Sequence, residues 1–289
     1  MFEKNKKMVK KNKENSRRQF LKQGAVALAG LAVVGSGAAY LRSVHGPNDT
    51  RTPYFLRPPG AVKESVFIYA CIKCGLCVQI CPIDAIKLAG VNEGLSYGTP
   101  YIDVRTQPCD FSCDSLQCVE TCPTAALDFK PFELAGGNAI VAYQKTHNVT
   151  DPSFNPFPVQ IRAMKEEVRM GKAYVNKDTC LAHQQKGFKG ISRGVDFEGI
   201  YRAPDSKSKN ATLLKDKEFD REICNLCVTE CPIGETAIVF SPRHRDGKLR
   251  PKVLDACTGC GVCVMVCPTE EPSILINPNH KSKGRGRHV

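Results

Sequence analysis

The 289-residue chain contains no Cys-x-x-Cys-His, so covalent c-type haem attachment is excluded. It has no glycine-rich dinucleotide fingerprint and no P-loop, which removes the usual nucleotide-binding readings. Its six histidines (His45, His147, His183, His244, His280 and His288) are scattered, and no nucleophile–base constellation accompanies them. The sequence therefore offers no site at which bonds would be made or broken. Apart from 24–41, no apolar run approaches the length of a membrane span. An excess of positive charge over the body of the chain is missing too. Of the net +12, residues 1–42 hold +8 and the tail 279–289 holds +4, which leaves the stretch between them near zero. A nucleic-acid partner is not expected.

Cysteine is what the chain has in excess, with sixteen residues. Fifteen fall in four tight runs. The first, Cys71-Ile-Lys-Cys74-Gly-Leu-Cys77-Val-Gln-Ile-Cys81-Pro82, is the C-x2-C-x2-C-x3-C-P pattern of bacterial ferredoxins. The second is Cys109-x3-Cys113-x4-Cys118-x3-Cys122-Pro123, a wider version with the same ending. The third closes as Cys224-x2-Cys227-x3-Cys231-Pro232, with Cys180 standing alone upstream. The fourth, Cys257-x2-Cys260-x2-Cys263-x3-Cys267-Pro268, restores the simple spacing. Disulfides are disfavoured because neighbours two residues apart on a turn are badly placed to bridge. Zinc knuckles would explain paired C-x2-C, but not the recurring fourth cysteine followed by proline.

In such a motif three cysteines of one run share a cubane with the fourth cysteine of the partner run, which is expected where a helix begins and points away. Local application of that rule gives four [4Fe-4S] clusters. Cys71, Cys74, Cys77 and Cys122 would hold the first; Cys109, Cys113, Cys118 and Cys81 the second. Cys180, Cys224, Cys227 and Cys267 would hold the third; Cys257, Cys260, Cys263 and Cys231 the fourth. Each cysteine is used once. Pairing the runs of opposite halves would close equally well, and only sequence order favours the local choice. Gly75, Gly259 and Gly261 would let backbone N–H groups face sulfur. Ile72, Leu76, Val262 and Val264 would keep water away.

The expected fold is α+β, with two tandem dicluster (2[4Fe-4S]) bacterial-ferredoxin-like units and long loops behind an N-terminal signal segment. Residues 1–42 read as a twin-arginine signal or anchor, from Ser16-Arg17-Arg18-Gln19-Phe20-Leu21-Lys22 and the apolar run after it. That export route suits the chemistry, since a cubane is inserted in a reducing compartment and the folded protein is then exported through the twin-arginine machinery. The run has no clean Ala-x-Ala, so cleavage and retention as an anchor both stay open. Residues 52–130 form the first unit, and 131–179 a linker whose helix is expected over Val159–Met170. Residues 180–278 form the second unit, interrupted by an insertion at 184–220 expected to carry little regular structure. A basic tail, 279–289, ends the chain.

Four phrases also carry a family likeness: Leu56-Arg-Pro-Pro-Gly-Ala61, Ala70-Cys-Ile-Lys-Cys-Gly-Leu-Cys77, Gly94-Leu-Ser-Tyr-Gly-Thr-Pro100 and Asp255-Ala-Cys-Thr-Gly-Cys-Gly261. With them the chain resembles the NapG/MauM family of ferredoxin-type proteins. The resemblance implies a periplasmic electron carrier with four [4Fe-4S] clusters. Its implied donor is a NapH-like membrane quinol dehydrogenase, and its implied acceptor the periplasmic nitrate reductase subunits. The alternative is the iron–sulfur subunit of another exported molybdoenzyme, hydrogenase or nitrite reductase complex.

Overall fold

A computed structural model describes residues 55–148, 153–203, 211–242 and 247–278. The twin-arginine segment and the basic tail lie outside the described residues. Among the described residues, no helix is long and apolar enough to cross a membrane.

Each half is built on one plan. After the first cysteine run, strand β1 (Ile86–Leu88) turns back through a 3-10 stretch to β2 (Pro100–Ile102), pairing antiparallel with Ile86 opposite Ile102. After the third run, β8 (Ile238–Pro242) and β9 (Leu249–Val253) make the equivalent pair, Ile238 opposite Val253. The ends of each half also meet. In the first they do so through the bridge Ala61–Leu127, flanked by bonds from Val62 N to Ala126 O and from Asp128 N to Gly60 O. In the second, β3 (Gly171–Val175) pairs with β10 (Ile274–Pro278). β3 lies within the stretch read as linker, so the second half's pairing begins before Cys180. Its alternating burial, Gly171 and Ala173 inward and Lys172 and Tyr174 outward, is the period-two signature of a strand half in the core.

Before β3 the stretch 131–179 carries two helices packed on each other. Helix α4 (Lys130–His147) starts with Pro131 in its first turn and stops at Asn148, which takes the left-handed conformation of a C-terminal cap. Helix α5 (Phe157–Glu166) covers most of the expected Val159–Met170 but ends earlier. Beyond it, Val168 and Met170 are buried and Met170 N binds Thr258 O, so the chain has left the helix to reach the fourth cysteine run. The helices cross at Gly136, where an added Cβ would lie 2.7 Å from Gln160 Cγ and 3.3 Å from Met164 Cγ. Gly136→Leu is expected to cost about 1–3 kcal/mol by overpacking. Gly137→Ala, beside it with nothing within 4 Å, should gain about 0.5–1 kcal/mol from helix propensity. Thermal melts of the two variants, moving in opposite directions, check the crossing.

The insertion 184–220 is more ordered than its polar sequence implies. β4 (Phe188–Ile191) pairs with β7 (Glu218–Arg221), and β5 (Ile200–Tyr201) with β6 (Thr212–Leu213). Tyr201, Leu214 and Phe219 are buried in the main core beside Phe67, Leu116, Leu226 and Met265, so that core draws on both halves. Among the described residues, exposed charged side chains such as Asp216 and Glu218 separate these anchors, which is why a count of aliphatics misreads the segment.

Candidate iron–sulfur sites

The cysteine before the closing one of every run sits on a one-turn helix: Cys77 on α2 (Leu76–Gln79, after α1, Glu64–Ala70), Cys118 on α3 (Gln117–Glu120), Cys227 on α6 (Leu226–Thr229) and Cys263 on α7 (Val262–Met265). The residue before two of these turns must adopt positive φ, and there the sequence has Gly75 (+76°) and Gly261 (+93°). Leu116 does the same at +55° without being glycine, held by a buried side chain. The fourth cysteines, Cys81, Cys122, Cys231 and Cys267, follow these turns rather than opening a helix, which corrects the sequence-based expectation. The backbone then folds N–H groups onto three of their sulfurs. Ala85 N lies 3.4 Å from Cys81 Sγ, Leu127 N 3.5 Å from Cys122 Sγ and Ser273 N 3.4 Å from Cys267 Sγ.

All sixteen cysteines are free of disulfides, and the structure gathers them in quartets. One pocket is lined by Cys71, Cys74, Cys77 and Cys122. A second is lined by Cys180, Cys224, Cys227 and Cys267. A third is lined by Cys257, Cys260, Cys263 and Cys231, and by Cys227 as well. The remaining quartet is Cys109, Cys113, Cys118 and Cys81, each half-buried. Burial, then the neighbouring Cys113 and Cys81 sulfurs, push the Cys118 thiol up, and burial followed by Cys118 does the same to Cys109. In each set three members come from one stretch and one from its partner run in the same half; the cross-half pairing is not what the fold brings together.

The chemistry of these sets suits a cluster. Burial, ahead of the repulsion of nearby sulfurs, raises Cys77 to about 11 and Cys260 to about 12, and lifts Cys227 and Cys263 well above the ordinary thiol value. Thiolates crowded in a dry site need a cation to share their charge, and ligation supplies it by displacing the proton. Among the described residues, no group of three or more Cys, His, Asp or Glu converges on a single-ion site. The sulfurs surround a void, as a polynuclear core requires, instead of meeting at the one point that tetrahedral zinc demands.

Water exclusion is uneven. Val262 and Val264 are buried, 4% and 2% exposed, whereas Ile72 and Leu76 line the first pocket yet are 61% and 40% exposed. The first site thus has an exposed cysteine, Cys74, whereas in the fourth Cys260 and Cys263 are buried and Cys231 and Cys257 half-buried.

Sequence reasoning gave no part to Arg57, which is 1% exposed. It donates from Nε and Nη2 to both oxygens of Glu64, from Nη1 to Thr99 Oγ1 and Pro100 O (2.8 Å each), and from Nη2 to Ser96 Oγ, between the rings of Phe55 and Phe67. Two of the phrases behind the family likeness, 56–61 and 94–100, therefore meet in space. They frame the first site without ligating it.

Two interleaved pairs of cysteine runs on twin antiparallel scaffolds define a class: tandem dicluster iron–sulfur electron-transfer proteins. The family model described as a 4Fe-4S dicluster domain matches residues 70–126 and again 222–270. The methylamine utilization ferredoxin-type protein MauM of Methylobacillus flagellatus is 31% identical over 252 residues, covering 85% of this chain and 77% of that protein. The ferredoxin-type protein NapG of Escherichia coli K12 is 43% identical over 115 residues, 40% of this chain. The aligned part is 48% of NapG, so the chain matches about half the length of that relative. MauM of Paracoccus denitrificans is 28% identical over 84% of the chain and 79% of its own length. The chain belongs to the NapG/MauM family of ferredoxin-type proteins. Its two matched regions are of the [4Fe-4S] dicluster type, one in each half. No solved structure matches it.

Proposed function

We propose that the chain is an exported carrier of four [4Fe-4S] clusters, each held by one of the quartets above. It would take electrons from a NapH-like membrane quinol dehydrogenase and pass them toward periplasmic nitrate reductase subunits. The observation that carries the reading is the quartet arrangement, three cysteines of one stretch with the closing cysteine of its partner, repeated in both halves. A bound cubane gains or loses one electron without bond rearrangement. The chain's part is to hold it with four thiolates, turn backbone N–H groups toward sulfur to raise its potential, and fix its distance from the next. The twin-arginine reading of 1–42 supplies the route to the periplasm, with the segment removed or kept as an anchor.

A second acceptor is favoured by one observation. MauM of Methylobacillus flagellatus aligns along 85% of the chain, against 40% for NapG of Escherichia coli. Under that reading the electrons belong to methylamine utilization. Affinity capture of the tagged, full-length protein from membranes separates the two. Recovery of a quinol-oxidising membrane protein, with loss of nitrate-dependent growth on deletion, is the expected result. A growth defect confined to methylamine would replace the nitrate assignment.

A further inference from the structure

The two halves face each other, cysteine loop to cysteine loop, where the second run meets the fourth. A Cβ added to Gly261 would lie 2.2 Å from Val104 Cγ1 and 3.5 Å from Pro108 Cβ, so both side chains rest directly on this glycine's backbone. Pro108 precedes Cys109 and Gly261 follows Cys260. One cysteine from each half is therefore a single peptide away from the same van der Waals contact, and both pack in the shared core.

The contact is fastened from two sides. Arg105 spends its guanidinium on four carbonyls of the other half: Val264 O at 2.7 Å, Cys267 O at 2.9 Å, Thr269 O at 2.6 Å and Glu270 O at 2.9 Å. A planar fork of donors suits this task, as a lysine's single ammonium would not. From the other side the 184–220 insertion closes over the turn. Arg193 Nη1 donates to Arg105 O at 2.9 Å, and Gln107 exchanges two bonds with Ile200, at 2.8 and 3.2 Å. The Tyr201 hydroxyl donates to buried Glu230 of the third run, tying the insertion's far end to the second half.

We infer that the two halves conduct in series through this join, second site to fourth, with Arg105 and Gln107 as its positioning residues and Arg193 and Ile200 of the insertion packed over it. The inference rests on the four-cluster reading and adds an order to it. Within the halves α2 packs on α3, and α6 on α7. The row therefore runs first, second, fourth, third, with the first site and its exposed Cys74 at one end. An electron crossing the join leaves the second site one electron poorer and the fourth one richer; no bond changes and no proton moves.

The test uses the full-length holoprotein, reduced stepwise by dithionite and read by electron paramagnetic resonance beside an iron count. In the wild type, spin–spin broadening should extend across all four reduced sites. In Arg105→Ala/Gln107→Ala, iron should stay at the wild-type level while the broadening collapses into two independent pairs. Should the double variant release iron, Gln107→Ala alone, which makes no bond to the cysteine loops of the second half, carries the same comparison. Full iron with undiminished broadening in the variant would overturn the inference, as would a wild type whose broadening never extends beyond pairs. An iron-free wild type would instead remove the four-cluster reading, a different result at an earlier step.

Discussion

Cys122→Ser should damage the first site and leave the second largely intact, although Cys122 closes the second cysteine run. Cys122 shares its cavity with Cys71, Cys74 and Cys77, while the second run's other three cysteines gather with Cys81. Serine keeps the volume but offers a poorer, less readily ionised ligand at a position where Leu127 N already points at sulfur. With four irons per cubane, iron should fall from about sixteen per chain to about twelve. The missing signal should be the one also lost in Cys71→Ser. Matching loss in those two variants, and a different loss in Cys81→Ser, is the signature of interleaved ligation. Loss of the same site in Cys122→Ser and Cys113→Ser would refute it.

Arg57→Ala should be the most destabilising substitution outside the cysteines. Its guanidinium is enclosed, its charge is balanced by Glu64, and its remaining donors satisfy Ser96, Thr99 and Pro100. Removing one partner of a buried ion pair leaves the other uncompensated and costs about 3–5 kcal/mol. For a protein of this size, that amounts to about 10 °C in melting temperature. Arg57→Lys should recover little, because one ammonium reaches neither both Glu64 oxygens nor all three further acceptors. Circular-dichroism melts of the holoprotein check this, and a shift under 2 °C would show that the pocket relaxes around the loss.

The grouping of the cysteines was legible because metal chemistry fixes cysteine spacing, whatever the packing around it. The same spacing, with proline behind each fourth cysteine, carried the twin-unit plan. What stayed hidden depends on distant partners. Helix α4 carries adjacent Gly136 and Gly137, poor helix formers, and one of them is there for the close approach of α5. β3 resembles any short polar–apolar alternation until β10, nearly a hundred residues later, pairs with it. The 184–220 insertion looked merely tolerated because its three buried anchors, Tyr201, Leu214 and Phe219, are spread among exposed charges. Arg57 and Arg105 were given no role, for no local pattern announces an arginine whose acceptors lie 42 or 159 positions away. The exposure of Ile72 and Leu76 was hidden at this level too. Their spacing puts them on the pocket wall, and only the assembled fold shows them 61% and 40% exposed among the described residues.

The central claim is that every thiol of this chain tethers iron–sulfide, with tethers exchanged between partner runs. Its most direct test is iron and acid-labile sulfide analysis of anaerobically purified protein. About sixteen of each per chain is the expected result, as four cubanes require. Protein that is natively folded but iron-free, or that holds zinc in their place, would contradict it.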